Sequence, residues 1–295
     1  MQIFNKLNDN KNLALALGYF DGVHIGHQQV IKSAVNHAKN NNLKSAVITF
    51  KDHPCCYFYG VCPKYILSRN LRRQKIADLG IDYLYELDFD ENLSKLSAEE
   101  YLKEILVKNF SPKSISTGFN HYFGTKKSGN SEFLRNNQEK YHYKYFEIPP
   151  AKYNDEIISS TLIRNLLSSG DIEKANTMLD DRFSIEGVIV EGQKIGRTLG
   201  YKTANILYPA EIIDIPFGVY ETQTQYGKAI TNFGIRPTIS NDKKAVLETH
   251  ILDFDKDIYN KKINIEFIKM IRTETKFESV EELKQQIQKD IDSII

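Results

Sequence analysis

The chain of 295 residues is long enough for one large domain or two ordinary ones, and its 41% hydrophobic and 26% charged residues are typical of a globular protein. A formal net charge of +1 gives no electrostatic basis for a nucleic-acid partner or a membrane surface, and no apolar run approaches the roughly 18 residues that cross a bilayer. The N-terminus lacks the apolar core and cleavage site of a signal peptide, so we expect a cytoplasmic protein whose clustered Cys55, Cys56 and Cys62 are reduced.

Strand and helix patterns alternate through the first half of the chain. Continuous apolar runs predict buried strands, and apolar residues at helical spacing predict helices between them. The predicted strands are residues 13–17, 44–50, 81–87 and 113–118, and the predicted helices are residues 28–39, 71–79 and the segment after the capping box at Ser97. This alternation predicts a doubly wound parallel sheet, whose ligands bind beyond the carboxyl ends of the strands.

The second half changes character near residue 181, where short strands follow one another without helices between them. The predicted strands are residues 183–190, 218–224, 228–233, 245–252 and 262–270. Evenly spaced short strands favour a closed antiparallel barrel. A second capping box at Ser279 opens a helix that ends the chain. We therefore predict two domains, residues 1–180 and residues 181–295.

A glycine-rich turn with two histidines, residues 18–27, lies between the first buried strand and the first helix. The start of a helix presents unpaired N–H groups and the positive end of the helix dipole, and glycine lets the backbone approach a ligand. His24 and His27, three residues apart, can each donate a hydrogen bond to one phosphate group. The pattern favours a triphosphate site; the alternative is a tight turn with surface histidines.

Hydroxyl residues open another predicted helix at residues 158–164, where Ser160 and Thr161 precede Arg164 by about one turn. Hydroxyls and N–H groups at a helix start, with a guanidinium one turn later, suit a second phosphate clamp. The alternative is a helix that is only capped.

The second domain holds a glycine-rich segment at residues 192–206 and an acidic residue on a predicted strand. The hydroxyl of Thr203 and the amide of Asn205 are oxygen ligands chemically suited to Mg²⁺. Glu248 and His250 share one face of that strand, and either can take a proton from an alcohol. A glycine-rich loop alone is a weak indication of phosphate binding, and the alternative for the strand pair is simple exposure.

The string G-x-F-D-G-x-H-x-G-H at residues 18–27 resembles the adenylyltransferase module of bacterial bifunctional riboflavin kinase/FAD synthetases. Residues 118–124 and 158–164 resemble further segments of that module, and residues 192–205 and 247–250 resemble segments of the family's riboflavin kinase. The resemblance implies a Rossmann-like nucleotidylyltransferase domain followed by a kinase barrel. It implies phosphorylation of riboflavin to FMN by ATP, and then adenylyl transfer from a second ATP to FMN, which yields FAD and pyrophosphate. It also implies Mg²⁺ as the metal.

The resemblance assigns roles to individual residues at the matching positions. Catalytic roles fall on His24, His27, Arg164 and Glu248. The implied nucleotide contacts are Gly18, Phe20, Asp21, Gly22, Gly26, Asn120, Ser160, Thr161, Gly196, Arg197 and Gly200. The implied flavin contacts are Arg236 and Arg272, and the implied Mg²⁺ ligands are Thr203 and Asn205.

Departures from the family pattern leave alternatives open. Lys202 stands where the family has proline, whose fixed φ would stiffen the metal-binding loop. His121 and Tyr122 replace an aromatic and a basic residue of the family. One alternative is therefore an FMN adenylyltransferase with a disabled kinase, and another is a flavin- or nucleotide-binding regulator without turnover. The expected partners are ATP, riboflavin and FMN, and the sequence predicts no oligomeric state.

Overall fold

A computed structural model describes residues 1–191, 200–236 and 244–295, apart from the side chains of Arg236 and Lys244. The proximity of Cα atoms divides the chain into two compact units. The first unit comprises Met1–Pro63 and Arg69–Ser160, and the second comprises Lys64–Ser68 and Thr161–Ile295. The functional boundary near residue 181 stays a prediction.

The first unit is built on a six-stranded sheet whose neighbouring strands all run parallel, in the order β1-β4-β3-β2-β5-β6. The strands are β1 (Gln2–Phe4), β2 (Leu13–Leu17), β3 (Lys44–Phe50), β4 (Tyr83–Leu87), β5 (Ser114–Gly118) and β6 (Lys144–Ile148). The four predicted strands are confirmed as β2 to β5. All of β2 is buried, as its unbroken apolar run requires for a central parallel strand.

Helices connect these strands and cover the sheet. They are α1 (Ile25–Asn40), α2 (Pro54–Tyr59), α3 (Arg69–Asp78), α4 (Glu91–Lys95), α5 (Ala98–Glu100), α6 (Lys108–Phe110) and α7 (Ser131–Asn136). A π-helix, Tyr101–Val107, joins α5 to α6. The predicted capping box at Ser97 is confirmed, because its hydroxyl accepts from the Glu100 N–H and the Glu100 carboxylate accepts from the Ser97 N–H. A short antiparallel hairpin, β7 (Lys152–Tyr153) and β8 (Glu156–Ile157), follows β6.

The strand order reverses on either side of β2. The chain passes from β2 to β3 on one side and later places β5 on the other side. In a parallel sheet of this kind, ligands bind in the crevice beyond the carboxyl ends of the strands at the reversal. The glycine-rich turn follows β2 and the segment from Gly118 follows β5, so both predicted segments lie at this crevice.

The second unit contains most of α8 (Ser160–Ser169), then α9 (Ile172–Leu179), and then a six-stranded antiparallel sheet in the order β10-β13-β12-β11-β14-β9. Its strands are β9 (Ser184–Val188), β10 (Ala204–Leu207), β11 (Gly218–Thr224), β12 (Gly227–Arg236), β13 (Lys244–Ile251) and β14 (Lys262–Thr273). Val190, just beyond β9, donates its N–H to the carbonyl of Asn205 in β10 at 2.8 Å. The two edges of the sheet therefore meet, which confirms the predicted antiparallel barrel.

The last helix, α10 (Val280–Asp292), packs on this barrel. The Ser279 hydroxyl accepts from the Glu282 N–H at 3.1 Å, as predicted for its N-cap. The Glu282 carboxylate accepts from the Glu278 N–H instead of the Ser279 N–H, so the predicted box is only half formed. Ile291 belongs to a cluster with Val219 of the barrel, which buries the apolar face of the helix.

The cysteines differ from expectation. Cys56 and Cys62 form a disulfide across the end of α2, and Cys55 is a free thiol. The expectation of three reduced thiols is therefore wrong for this pair, whose partners stand six residues apart with their Cα atoms 4.4 Å apart. None of the helices in the described part of the chain is long and apolar enough to cross a membrane.

Candidate functional site

The glycine-rich turn of the first unit adopts a conformation that needs its glycines. Phe20 lies in the left-handed region with φ of 58°, and Gly22 follows with φ of 79°. A Cβ atom at Gly18 would lie 2.8 Å from the Phe20 ring, which is 1% exposed. The ring therefore occupies the space that a side chain at residue 18 would need. This turn places His24 at the N-cap of α1, directly before the first helical residue.

His24 is the N-cap residue of α1, and its Nδ1 accepts from the His27 N–H at 3.4 Å. The residue is 5% exposed, and burial lowers its pKa from 6.5 to about 4. The imidazole is therefore neutral near pH 7. Because Nδ1 accepts, the ring proton lies on Nε2 and can be donated to a ligand.

The predicted phosphate-binding groups of this turn are brought together. The His24 and His27 rings stack with their centroids 3.6 Å apart. A Cβ at Gly26 would lie 3.2 Å from the His24 ring. Glycine at this position therefore avoids a close contact with the ring. The Ser160 hydroxyl donates to the Asp21 carbonyl at 3.0 Å, which joins the start of α8 to the turn. The first N–H groups of α1 lack helical acceptors, so the site favours an anion.

A buried ion cluster that the sequence analysis missed supports the turn from behind. The Arg72 guanidinium, on α3, donates to the carbonyls of Tyr19 and Phe50 at 3.4 and 3.1 Å. It also pairs with Glu86 of β4 at 3.2 Å, and Arg73 binds the other oxygen of the same carboxylate. Arg72 is 4% exposed and Glu86 is fully buried. This network fixes the peptide that leads into Phe20.

Tyr19 is the contact point of several elements. Its carbonyl also accepts from the Thr49 hydroxyl of β3 at 3.0 Å, and its ring lies under Arg72 with the guanidinium carbon 4.9 Å from the centroid. The His53 ring, at the N-cap of α2, meets the Tyr19 ring edge-on at 4.8 Å. Charged residues in a helix such as α3 are usually solvated. The sequence alone therefore gives no reason to expect Arg72 to be buried against Tyr19.

The segment after β5 presents Asn120 as an exposed side chain at the same edge of the sheet. His121 beside it has its pKa lowered to about 4 by burial, and its ring stacks on Phe123 with centroids 5.7 Å apart. Within the described residues, its buried Nε2 has no hydrogen-bond partner. The predicted nucleotide contact of Asn120 stays a prediction.

Thr161 and Arg164 belong to the second unit by Cα proximity. Thr161 is exposed, and Nε of Arg164 donates to the Lys64 carbonyl of the same unit at 3.0 Å. Their predicted roles at the phosphates stay predictions.

The second unit places three of its candidate residues, Asn205, Glu248 and Arg272, in one row across the barrel. In the strand register, Asn205 of β10 lies opposite Glu248 of β13, and Glu248 lies opposite Asn232 of β12. Asn232 lies opposite Val219 of β11, which lies opposite Arg272 of β14. Residues directly opposite one another share a face of the sheet and are neighbours. Asn205, Glu248 and Arg272 were predicted from the sequence, and Asn232 was not.

A cavity of about 630 Å³ opens on this row. Glu248, half-buried, lines it together with His250, so the two residues share a face as predicted. Arg272 also lines it, but its Nε and Nη2 both lie within 3 Å of Asp290 Oδ2 on α10. The Arg272 guanidinium therefore helps to hold α10 against the barrel. Its predicted contact with the flavin stays a prediction.

A smaller cavity of about 160 Å³ adjoins the start of β10. Thr203 lines both cavities, and Asn205, 3% exposed, lines the smaller one. Lys202 forms an ion pair with Asp255 at this cavity, and its carbonyl lies 2.8 Å from Nδ1 of His250. The charge of Lys202 therefore links the segment just before β10 to the turn that contains Asp255. The family has proline at this position, which would instead restrict the backbone φ angle.

The oxygen donors of Thr203 and Asn205 fit Mg²⁺, which needs few protein ligands when it is carried by phosphates and water. Among the described residues, there is no group of three or more His, Cys, Asp or Glu side chains that could hold a metal by itself. Gly196, Arg197 and the side chain of Arg236 lie outside the described part of the chain. Gly200 is described and has φ of 91°, a conformation that favours glycine.

Comparison with protein-family models matches residues 6–162 to FAD synthetase and residues 179–295 to riboflavin kinase. A bifunctional riboflavin kinase/FMN adenylyltransferase of Buchnera aphidicola is 36% identical over 99% of this chain and 96% of its own length. The protein of that name from Listeria monocytogenes is 33% identical over 95% of this chain and 90% of its own length. The crystal structure of a macrolide-efflux protein from Streptococcus pneumoniae has a TM-score of 0.90 and 29% identity, over 99% of this chain and 98% of that one.

Proposed function

Because the chain belongs to the family of bifunctional riboflavin kinase/FMN adenylyltransferases, we propose that it makes FAD from riboflavin in two ATP-dependent steps. The second unit phosphorylates riboflavin to FMN. The first unit transfers the adenylyl group of a second ATP to FMN. The observation that carries this proposal is the occurrence, in one chain, of a stacked histidine pair at a helix N-terminus and of a strand carboxylate, Glu248, beside a cavity.

The adenylyl transfer needs no base, because the FMN phosphate is already an anionic nucleophile. One of its oxygens attacks the α-phosphorus of ATP in line, the bond to the β-phosphate bridging oxygen breaks, and pyrophosphate leaves with the electron pair. His24 Nε2–H, His27 and the N–H groups that open α1 hold the β- and γ-phosphates. Ser160, whose hydroxyl donates to the Asp21 carbonyl of the same unit, binds the phosphates as well, and the family resemblance gives Arg164 a role in the same reaction. Positioning and charge stabilisation supply the rate enhancement.

The kinase step does need a proton acceptor. Glu248 takes the proton of the terminal ribityl hydroxyl, whose oxygen attacks the γ-phosphorus while ADP leaves. Thr203 and Asn205 would hold the Mg²⁺ that accompanies ATP, and the ion would supply positive charge to the phosphates. Glu248 and Asn205 are direct cross-strand neighbours, which supports placing the base next to the metal and the phosphates.

ATP, riboflavin and FMN are the proposed ligands, and a cytoplasmic location stays a prediction. The test is chromatography of flavins after incubation of the pure protein with ATP and Mg²⁺, starting from riboflavin in one tube and from FMN in another. The proposal expects FMN and then FAD in the first tube and FAD in the second. FAD in the second tube only would mean a disabled kinase. The absence of any new flavin in both tubes would overturn the proposal in favour of a binding protein.

A further inference from the structure

The side chain of Asn232 lies between the proposed base and the apolar part of the large cavity. It is directly opposite Glu248 on one side and Val219 on the other. Its neighbours in β12, Thr231 and Phe233, are almost fully buried, whereas Asn232 is exposed. The two-residue alternation of a strand therefore turns Asn232 to the face on which Glu248 lies. Both side chains line the cavity of about 630 Å³.

The order of residues in the row matches the order of groups in the kinase reaction. Asn205, the proposed metal ligand, lies on one side of Glu248, and Asn232 lies on the other. Neighbouring strands are about 4.8 Å apart, so Asn232 is one strand further from the phosphates than the base is. A substrate whose terminal hydroxyl meets Glu248 would extend its remaining hydroxyls toward Asn232.

The surroundings of Asn232 suit a molecule with a polar chain and an apolar ring. Val219, Ile230 and Ile287 supply apolar walls to the same cavity. A Cβ at Gly234, two residues along the strand, would collide with the Glu274 carboxylate and lie 3.7 Å from Nδ2 of Asn232. The Glu274 carboxylate therefore occupies the space that a side chain at residue 234 would need, and it adds a polar group to the wall of the cavity near Asn232.

We infer that Asn232 binds the ribityl hydroxyl next to the terminal one and so helps to select a polyol-bearing flavin as the kinase substrate. This inference rests on the proposed kinase function. Asn232 is exposed and lines the cavity, and its amide offers two donors and an acceptor to a ligand there. A hydroxyl, which both donates and accepts, complements such an amide. Asn232 moves no proton in the reaction; it fixes where the substrate chain lies.

The test compares riboflavin with an analogue that lacks only the hydroxyl next to the terminal one. The dissociation constants of both flavins are measured by flavin fluorescence for the whole chain and for the Asn232→Ala variant. We expect Asn232→Ala to weaken riboflavin binding about fivefold to tenfold, the size of one hydrogen bond, and to change analogue binding less than twofold. Asn264→Ala is the matched control, since that asparagine lies on β14 but lines neither of the two barrel cavities.

Equal weakening for the two flavins would show a merely structural role and overturn the inference, as would unchanged binding of riboflavin. Formation of FMN by the unaltered chain, followed in parallel, reports separately on the proposed kinase. If the chain binds riboflavin without phosphorylating it, the proposed activity fails, and the binding comparison still decides the role of Asn232. Conversion of FMN to FAD by the same variant checks that the first unit is intact.

Discussion

The two candidate sites differ in what holds their chemical groups in place. His24 is almost completely buried. Its position is fixed by the left-handed turn at Phe20, by its hydrogen bond as the N-cap of α1, and by the buried Arg72–Glu86 pair that supports the turn. Glu248 is half-buried on a strand beside an open cavity, and the strand register places Asn205 and Asn232 next to it. A site built from a turn depends on distant supports, whereas a site built on a sheet depends on the few side chains of its row. The two sites therefore fail in different ways.

Loss of the phosphate-binding histidine gives the largest expected effect. His27→Ala removes a group that holds the leaving pyrophosphate, and removal of one such donor costs about a hundredfold to a thousandfold in rate. We expect FAD formation from FMN to fall by that factor while FMN formation from riboflavin changes less than about twofold. Chromatography of both reactions measures it. FAD formation near the rate of the unaltered chain would refute the assignment.

Removal of the buried carboxylate tests the dependence of the turn on its support. Glu86→Gln leaves the Arg72 and Arg73 guanidinium groups without their shared carboxylate, and breaking a buried pair costs about 3–5 kcal/mol. We expect adenylyl transfer to be lost at a lower temperature than riboflavin phosphorylation, because Glu86 belongs to the first unit.

The matched control for that experiment is Glu91→Gln, which breaks an exposed pair with Lys95. Exposed pairs contribute about 0–1 kcal/mol, so both activities should keep their temperature profiles. If Glu86→Gln inactivated both reactions at the same temperature, the supporting role of the cluster would be wrong.

The buried His24 makes the first unit sensitive to acid. Its pKa of about 4 in the folded chain lies below the value of about 6.5 expected when unfolded, so the unfolded state binds more protons between these values. Stability therefore falls as pH falls from about 6.5 to 4, by about 3 kcal/mol from this residue. His24→Asn keeps an acceptor for the His27 N–H and removes the titration. A smaller loss of stability over that interval in urea unfolding is expected, and an unchanged pH dependence would contradict this account.

The smallest expected effect concerns Lys202. Its ion pair with Asp255 is exposed, and such pairs contribute about 0–1 kcal/mol. Asp255→Asn should raise the KM for ATP in the kinase reaction less than about fivefold, and the difference should vanish at high salt. A hundredfold loss would mean that the kinase depends on this pair as a substitute for the family's proline.

Local patterns could be predicted from the sequence because they depend on neighbours along the chain. Gly18, His24 and the capping box at Ser97 are examples, since turn, cap and helix start lie within a few residues of one another. The Arg72–Glu86 pair could not be predicted, because it depends on how α3 packs against β4. Asn232 was missed for a similar reason. Its position next to Glu248 and Val219 depends on how three strands pair, which the sequence does not show.

We expect one chain to carry two separate sites, one for each reaction. Glu248→Gln and His27→Ala are each incubated with riboflavin, ATP and Mg²⁺, alone and then mixed. We expect Glu248→Gln alone to leave riboflavin unchanged, because loss of the base costs about a hundredfold or more, and His27→Ala alone to stop at FMN. The mixture should produce FAD, since each variant supplies the step that the other lacks. A mixture of folded variants that makes no FAD, or FAD made by His27→Ala alone, would contradict the account.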